Sequence, residues 1–132
     1  TALSNELIAE VKQADTLLFS IPMYNFSIPS ALKAYLDQIV RIGQTVQRND
    51  DGSFKGLLDG KKAYLAISAG GVGYEDGAYK AANFLTPYMN LILNFIGITE
   101  VESFVEEGAA MAPDVAEKAR EQIKEKVLAT VQ

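Results

Sequence analysis

Two short segments hold the residues whose types and spacing suit ligand chemistry. The first is Pro22-Met23-Tyr24-Asn25-Phe26-Ser27-Ile28-Pro29. Two prolines stiffen it, two aromatics are placed to flank a planar ring, and the Asn25 amide both donates and accepts. Backbone N–H and C=O groups in a loop held open in this way are free to pair with the polar edge of a flat heterocycle. The plainer alternative is a rigid strand-to-helix turn whose aromatics plug the core. The second segment is Ser68-Ala69-Gly70-Gly71-Val72-Gly73-Tyr74. Paired glycines allow a backbone to approach a ligand closely or to adopt positive φ. By itself, though, a Gly-rich turn is more often a simple chain reversal.

Other chemistries are excluded by inspection. The chain has no His and no Cys, so disulfides, thiolate nucleophiles, zinc-finger ligands and the commonest general base are absent. Counting from Gly71, a dinucleotide fingerprint needs glycine at 76, where Asp76 stands, and no Gly-Lys-Ser/Thr phosphate loop occurs. Asp37, the pair Glu106-Glu107 and the charged run from Glu117 to Lys126 read as structural or solvated. Adjacent carboxylates in an extended segment do not converge as acid–base pairs must. No catalytic side chain and no metal ligand set is therefore assigned. If the chain is an enzyme, a cofactor or the backbone must carry the chemistry.

The elements that must position these segments follow from periodicity. Leu3, Leu7, Ile8 and Val11 recur at helical spacing, predicting a helix over 3–13. Thr16 to Ile21 is a short apolar run ending at Pro22, as expected of a strand buried on both faces of a parallel sheet. Pro29 opens a helix carrying Leu32, Tyr35, Leu36, Ile39 and Val40, which Gly43 closes. Residues 44–60 predict a loop or short hairpin, and Lys61 to Ser68 a second buried strand. A long helix is expected from about Tyr79 to Phe95, bent near Pro87. Thr99 to Val105 suits an edge strand, and Ala112-Pro113-Asp114 opens a last helix. Helices alternating with three strands predict an α/β fold with a parallel sheet and helices on both faces. Both candidate segments then lie where open α/β sheets bind ligands, at the carboxyl ends of strands.

Composition narrows the partners. With 132 residues, 48% hydrophobic and 22% charged, the chain suits one globular domain over residues 1–132. A net charge of −5 without clustered basic residues argues against nucleic acid. The run Phe84 to Ile98 is too polar to span a membrane, and the first residues hold no leader pattern, so a cytoplasmic location is expected.

Taken whole, PMYNFSIPSALKAYLDQIVRIG is more specific than its parts. It resembles the flavin-contacting loop and following helix of the FMN-dependent NADH-azoreductase and NAD(P)H:quinone oxidoreductase family, which has a flavodoxin-like fold. KKAYLAISAGG and NFIGITEVESFVEEG are similar to that family in the same order. The resemblance implies that Met23, Tyr24, Asn25 and Phe26 wrap the isoalloxazine ring, and that Ser68, Ala69, Gly70 and Gly71 form a second wall. Some relatives carry Arg where Ala69 stands, which implies one contact fewer here, and aromatics near the partner subunit's substrate site where Gln44 to Arg48 stand, so the resemblance leaves substrate preference open. It implies FMN as cofactor, NADH or NADPH as donor, a ping-pong transfer of two electrons to a quinone or azo compound, and a homodimer. A flavodoxin-like electron carrier and a non-catalytic binding domain of the same topology are the alternatives.

Such proteins begin with a strand, a Ser-rich phosphate-binding loop, a helix and a second strand. None of these precedes Thr1, so the sequence is expected to be the C-terminal two-thirds of such a domain, lacking on the order of 60–70 residues.

Overall fold

A computed structural model describes residues 1–131. Its helices and strands follow from local chemistry. Thr1 caps α1 (Ala2–Gln13), its hydroxyl accepting the Ser4 N–H. Ile8 and Val11 on that helix are buried, as the spacing predicts. Ser4 is buried too: its hydroxyl donates to the Gln38 carbonyl at 2.6 Å and accepts from Arg41 at 3.0 Å, tying α1 to the helix after β1. That helix, α2, spans Ser30–Ile39 and packs Leu36 and Ile39 into the core.

Three strands form the main sheet: β1 (Thr16–Pro22), β4 (Lys62–Ser68) and β5 (Glu100–Glu106). They are parallel and in the order β1-β4-β5. Register pairs Pro22 with Ser68 and Ser68 with Glu106, so all three strands deliver their following loops to one edge. The segment 44–60 is the hairpin alternative of the two expected, made of β2 (Val46–Arg48) and antiparallel β3 (Phe54–Gly56). Buried Thr45 holds its base: the hydroxyl donates to the Ile39 carbonyl at 2.6 Å, at the end of α2.

Helices cover both faces of the sheet, as expected of the fold. One face carries Leu17, Ile21, Ala63, Leu65 and Ile67, packed with buried residues of α1, α2 and α3 (Thr86–Phe95). The other carries Phe104, met by α4 (Pro113–Thr130), where Lys126 lies 5.3 Å from the ring centroid.

Two expectations are corrected. The helix expected from Tyr79 to Phe95 is a single 3₁₀ turn at Lys80–Ala82 followed by a break and then α3. The Asn83 side chain accepts the N–H groups of Leu85 and Thr86, both at 3.0 Å, and so starts a new helix. Pro87 sits in the first turn of α3, where its missing N–H costs nothing, and does not bend a longer helix. The strand at Thr16 to Ile21 is buried on one face only. Leu18 is 72% exposed and Ser20 is exposed, while Leu17 and Ile21 are buried. Among the described residues β1 pairs with β4 alone, leaving its second edge without a neighbour. Beside Leu18 runs a groove of about 320 Å³ lined by Ala66, Phe104, Ile123 and Val127.

Candidate functional site

The segment after β1 folds back on itself as a two-residue turn. Tyr24 N–H donates to the Ser27 carbonyl at 2.9 Å, and Ser27 N–H returns to Tyr24 at 3.1 Å. The two residues between, Asn25 and Phe26, both have positive φ, at 47° and 70°. This is the geometry of a type I′ turn, which suits Asn in its first central position. Phe in the second is unusual, because a side chain larger than glycine meets its own backbone there, at a cost of about 1–3 kcal/mol. Sustained strain of this kind clusters at ligand clamps, and it leaves Tyr24 and Phe26 60% and 49% exposed.

The segment after β4 lies alongside. Met23 N–H donates to the Ser68 carbonyl at 2.8 Å, and the Phe84 N–H to the Phe26 carbonyl at 2.9 Å. The Phe26 ring meets Tyr74 with centroids 6.2 Å apart. The loop after β5 supports the pair from the far side: Gly108, Ala110 and Ala109 N–H groups donate to the carbonyls of Gly71, Gly70 and Ala69. All eight residues singled out from the sequence therefore come together at the carboxyl edge of the sheet, seven on two touching loops and Ser68 at the end of β4.

They do not share one role. Ala69 is buried, and its N–H and carbonyl are both engaged with the β5 loop. The Met23 N–H and the Ser68 carbonyl are committed to each other. Among the described residues, the N–H groups of Asn25, Phe26, Gly70 and Gly71 have no protein partner. These four donors, with exposed aromatic rings beside them, form a polar-edged apolar shelf. A Cβ on Gly71 would lie 3.3 Å from the Tyr74 ring, so glycine lets that ring pack close to the loop backbone. Among the described residues the Asn25 amide makes no hydrogen bond, and Asn25 holds its place in the turn through its positive φ. Open backbone donors beside exposed aromatic rings are the kind of groups that pair with the polar edge of a flat heterocycle.

Sequence reasoning missed Glu107, read there as a structural residue closing a strand. Its carboxylate accepts three consecutive N–H groups: Gly73 at 3.0 Å, Tyr74 at 2.7 Å and Glu75 at 2.9 Å. Beside it, partial burial first and the Glu107 charge second raise the Glu75 carboxyl above the ordinary glutamate range. A carboxylate directly after a strand and before Gly108 was the only available signal, and it is a weak one.

The family model described as flavodoxin-like fold matches residues 1–131. The chain belongs to the flavodoxin-like fold family. This flavodoxin-like chain is 43% identical over 124 residues to an FMN-dependent NADH:quinone oxidoreductase of Photorhabdus laumondii, covering 94% of itself and 60% of that relative. It is 49% identical over 115 residues to the enzyme of the same name from Hydrogenovibrio crunogenus, covering 87% of itself and 55% of the relative. Its fold superposes on an FMN-dependent NADH-azoreductase from Bacillus anthracis in complex with FMN, with a TM-score of 0.84 and 27% identity over 99% of this chain and 63% of that one. The flavodoxin-like chain thus spans a little over half the length of the curated relatives it matches. No helix among its described residues is long and apolar enough to cross a membrane.

Proposed function

We propose that this chain is the flavin-ring-binding portion of an FMN-dependent NAD(P)H:quinone oxidoreductase or azoreductase. One observation carries the reading: two touching loops at the sheet's carboxyl edge present four unpartnered N–H groups beside a strained, aromatic turn. Relatives that bear that activity in their names support it. Met23, Tyr24, Asn25 and Phe26 would hold one side of the ring, and Ser68, Ala69, Gly70 and Gly71 the other. The chemistry FMN supplies when bound is two-electron transfer between NADH or NADPH and a quinone or azo compound. The protein orients the ring through backbone donors and excludes water with its aromatic side chains. It needs no acid or base of its own, in keeping with a chain without His or Cys.

The remaining length of the relatives would, on this reading, precede residue 1 and add a strand to the free edge of β1. The unpaired edge and the apolar groove beside it support that placement. A homodimer in the cytoplasm, with small-molecule substrates and neither nucleic acid nor membrane as partner, completes the proposal. The acidic charge balance supports the exclusion of nucleic acid.

The test is an absorbance scan of the purified chain, as isolated and again after adding FMN and desalting. A retained flavin band in the visible supports the reading. A colourless protein that stays colourless after the rest of the domain is joined to it overturns the reading.

A further inference from the structure

We propose that Glu107 is a positioning residue for the flavin-side loop, acting through Tyr74; the role rests on the flavin reading above. Loop 68–77 contains Gly70, Gly71, Gly73 and Gly77, a composition that leaves a free chain many conformations. One carboxylate removes that freedom. Glu107 Oε2 accepts from Gly73, while Oε1 accepts from both Tyr74 and Glu75. Hydrogen bonds to an ionised acceptor are shorter and stronger than neutral ones, and here three converge on a single group.

The consequence reaches the shelf through the ring of Tyr74. With its own N–H pinned at 2.7 Å, Tyr74 stands over Gly71 and edge-on to Phe26. It thereby joins the loop after β4 to the turn after β1. The same carboxylate satisfies the N–H groups of Gly73, Tyr74 and Glu75, so among the described residues the donors left open from Gly70 to Glu75 are those of Gly70, Gly71 and Val72. Gly108, the next residue, adds its N–H to the Gly71 carbonyl at 2.7 Å, so the β5 loop grips both ends of the segment. Arranging a binding loop before the ligand arrives raises affinity by removing its ordering cost from the binding step.

The experiment is a fluorescence titration of FMN against the wild-type chain, Glu107→Gln, Glu107→Ala and Ser4→Ala, with thermal midpoints and the visible circular dichroism of the bound flavin. Ser4→Ala is the control: it removes a buried polar group on α1, distant in role from the loops. The expected result is an FMN Kd raised about tenfold in Glu107→Gln, which keeps one acceptor oxygen, and raised further in Glu107→Ala. The flavin's dichroism changes in both, and Ser4→Ala keeps the wild-type Kd and spectrum at a lowered midpoint. Where Glu107→Ala does not fold, Glu107→Gln decides. Wild-type Kd and dichroism in a folded Glu107→Gln protein overturn the role while leaving the flavin reading intact. A wild-type chain that takes up no flavin, alone or with the rest of the domain joined, overturns both.

Discussion

The Phe26 ring meets the Tyr74 ring at 61°, edge toward face, with centroids 6.2 Å apart. Edge-to-face aromatic pairs are stabilising beyond the area they bury, by about 0.5–1.5 kcal/mol. The contact links two loops whose parent strands are already paired, so it acts on loop geometry more than on the sheet. A double-mutant cycle with Phe26→Leu and Tyr74→Leu, followed by urea unfolding, is expected to give a coupling energy of about 0.5–1.5 kcal/mol. Tyr74→Phe, which keeps the ring, should leave stability within about 0.5 kcal/mol of wild type.

Asn25 holds a backbone position that few residues tolerate. Its φ of 47° places it in the left-handed region, where an ordinary side chain costs about 1–2 kcal/mol. Asn25→Ala should therefore lose flavin affinity, while Asn25→Gly keeps most of it. Asn49→Ala serves as comparison: that side chain bonds Ser53 at 2.9 Å in the β2–β3 turn, away from the loops. Equal FMN titration curves for Asn25→Ala and Asn49→Ala would sink the assignment.

Gly56 and Gly97 bring β3 against the end of α3. A Cβ on Gly56 would fall 2.1 Å from the Gly97 nitrogen and 2.4 Å from its Cα, both backbone atoms that cannot swing aside. Gly56→Ala is expected to lower unfolding free energy by about 3 kcal/mol or more, read from urea denaturation. Gly52→Ala meets nothing within 4 Å but sits at φ +86°, so its cost is conformational alone and smaller, about 1–2 kcal/mol.

The Glu75 carboxyl sets a weak pH dependence. Burial and then the neighbouring Glu107 charge raise its pKa in the folded state above the ordinary value. The native chain therefore binds this proton more tightly than the unfolded one. The resulting stabilisation is fully present below the ordinary glutamate value and is lost as pH rises through the raised one. The side chain is largely exposed, so solvent screening keeps the effect well below about 1 kcal/mol. Glu75→Gln should remove this slope and leave the protein slightly more stable at neutral pH. Thermal midpoints of both proteins across the mildly acidic range check it.

What local order predicts, the sequence alone determined. The apolar runs at Thr16 to Ile21 and Lys61 to Ser68 became parallel strands, and the two loops that follow them carry seven of the eight singled-out residues, with Ser68 closing β4. Such features are legible because strand and helix periodicities, prolines and glycines act within a few residues of themselves. The tertiary structure decided the rest. The break before α3 depends on where the Asn83 side chain turns, and periodicity cannot register that. The exposure of Leu18 depends on which face of the sheet a helix covers, while an apolar run looks the same whether one face is buried or two. Glu107 looked like one of two adjacent carboxylates closing a strand. It bonds Gly73 from 34 positions away because β4 and β5 lie side by side. No rule acting on neighbours in sequence contains that distance; only the pairing of strands supplies it.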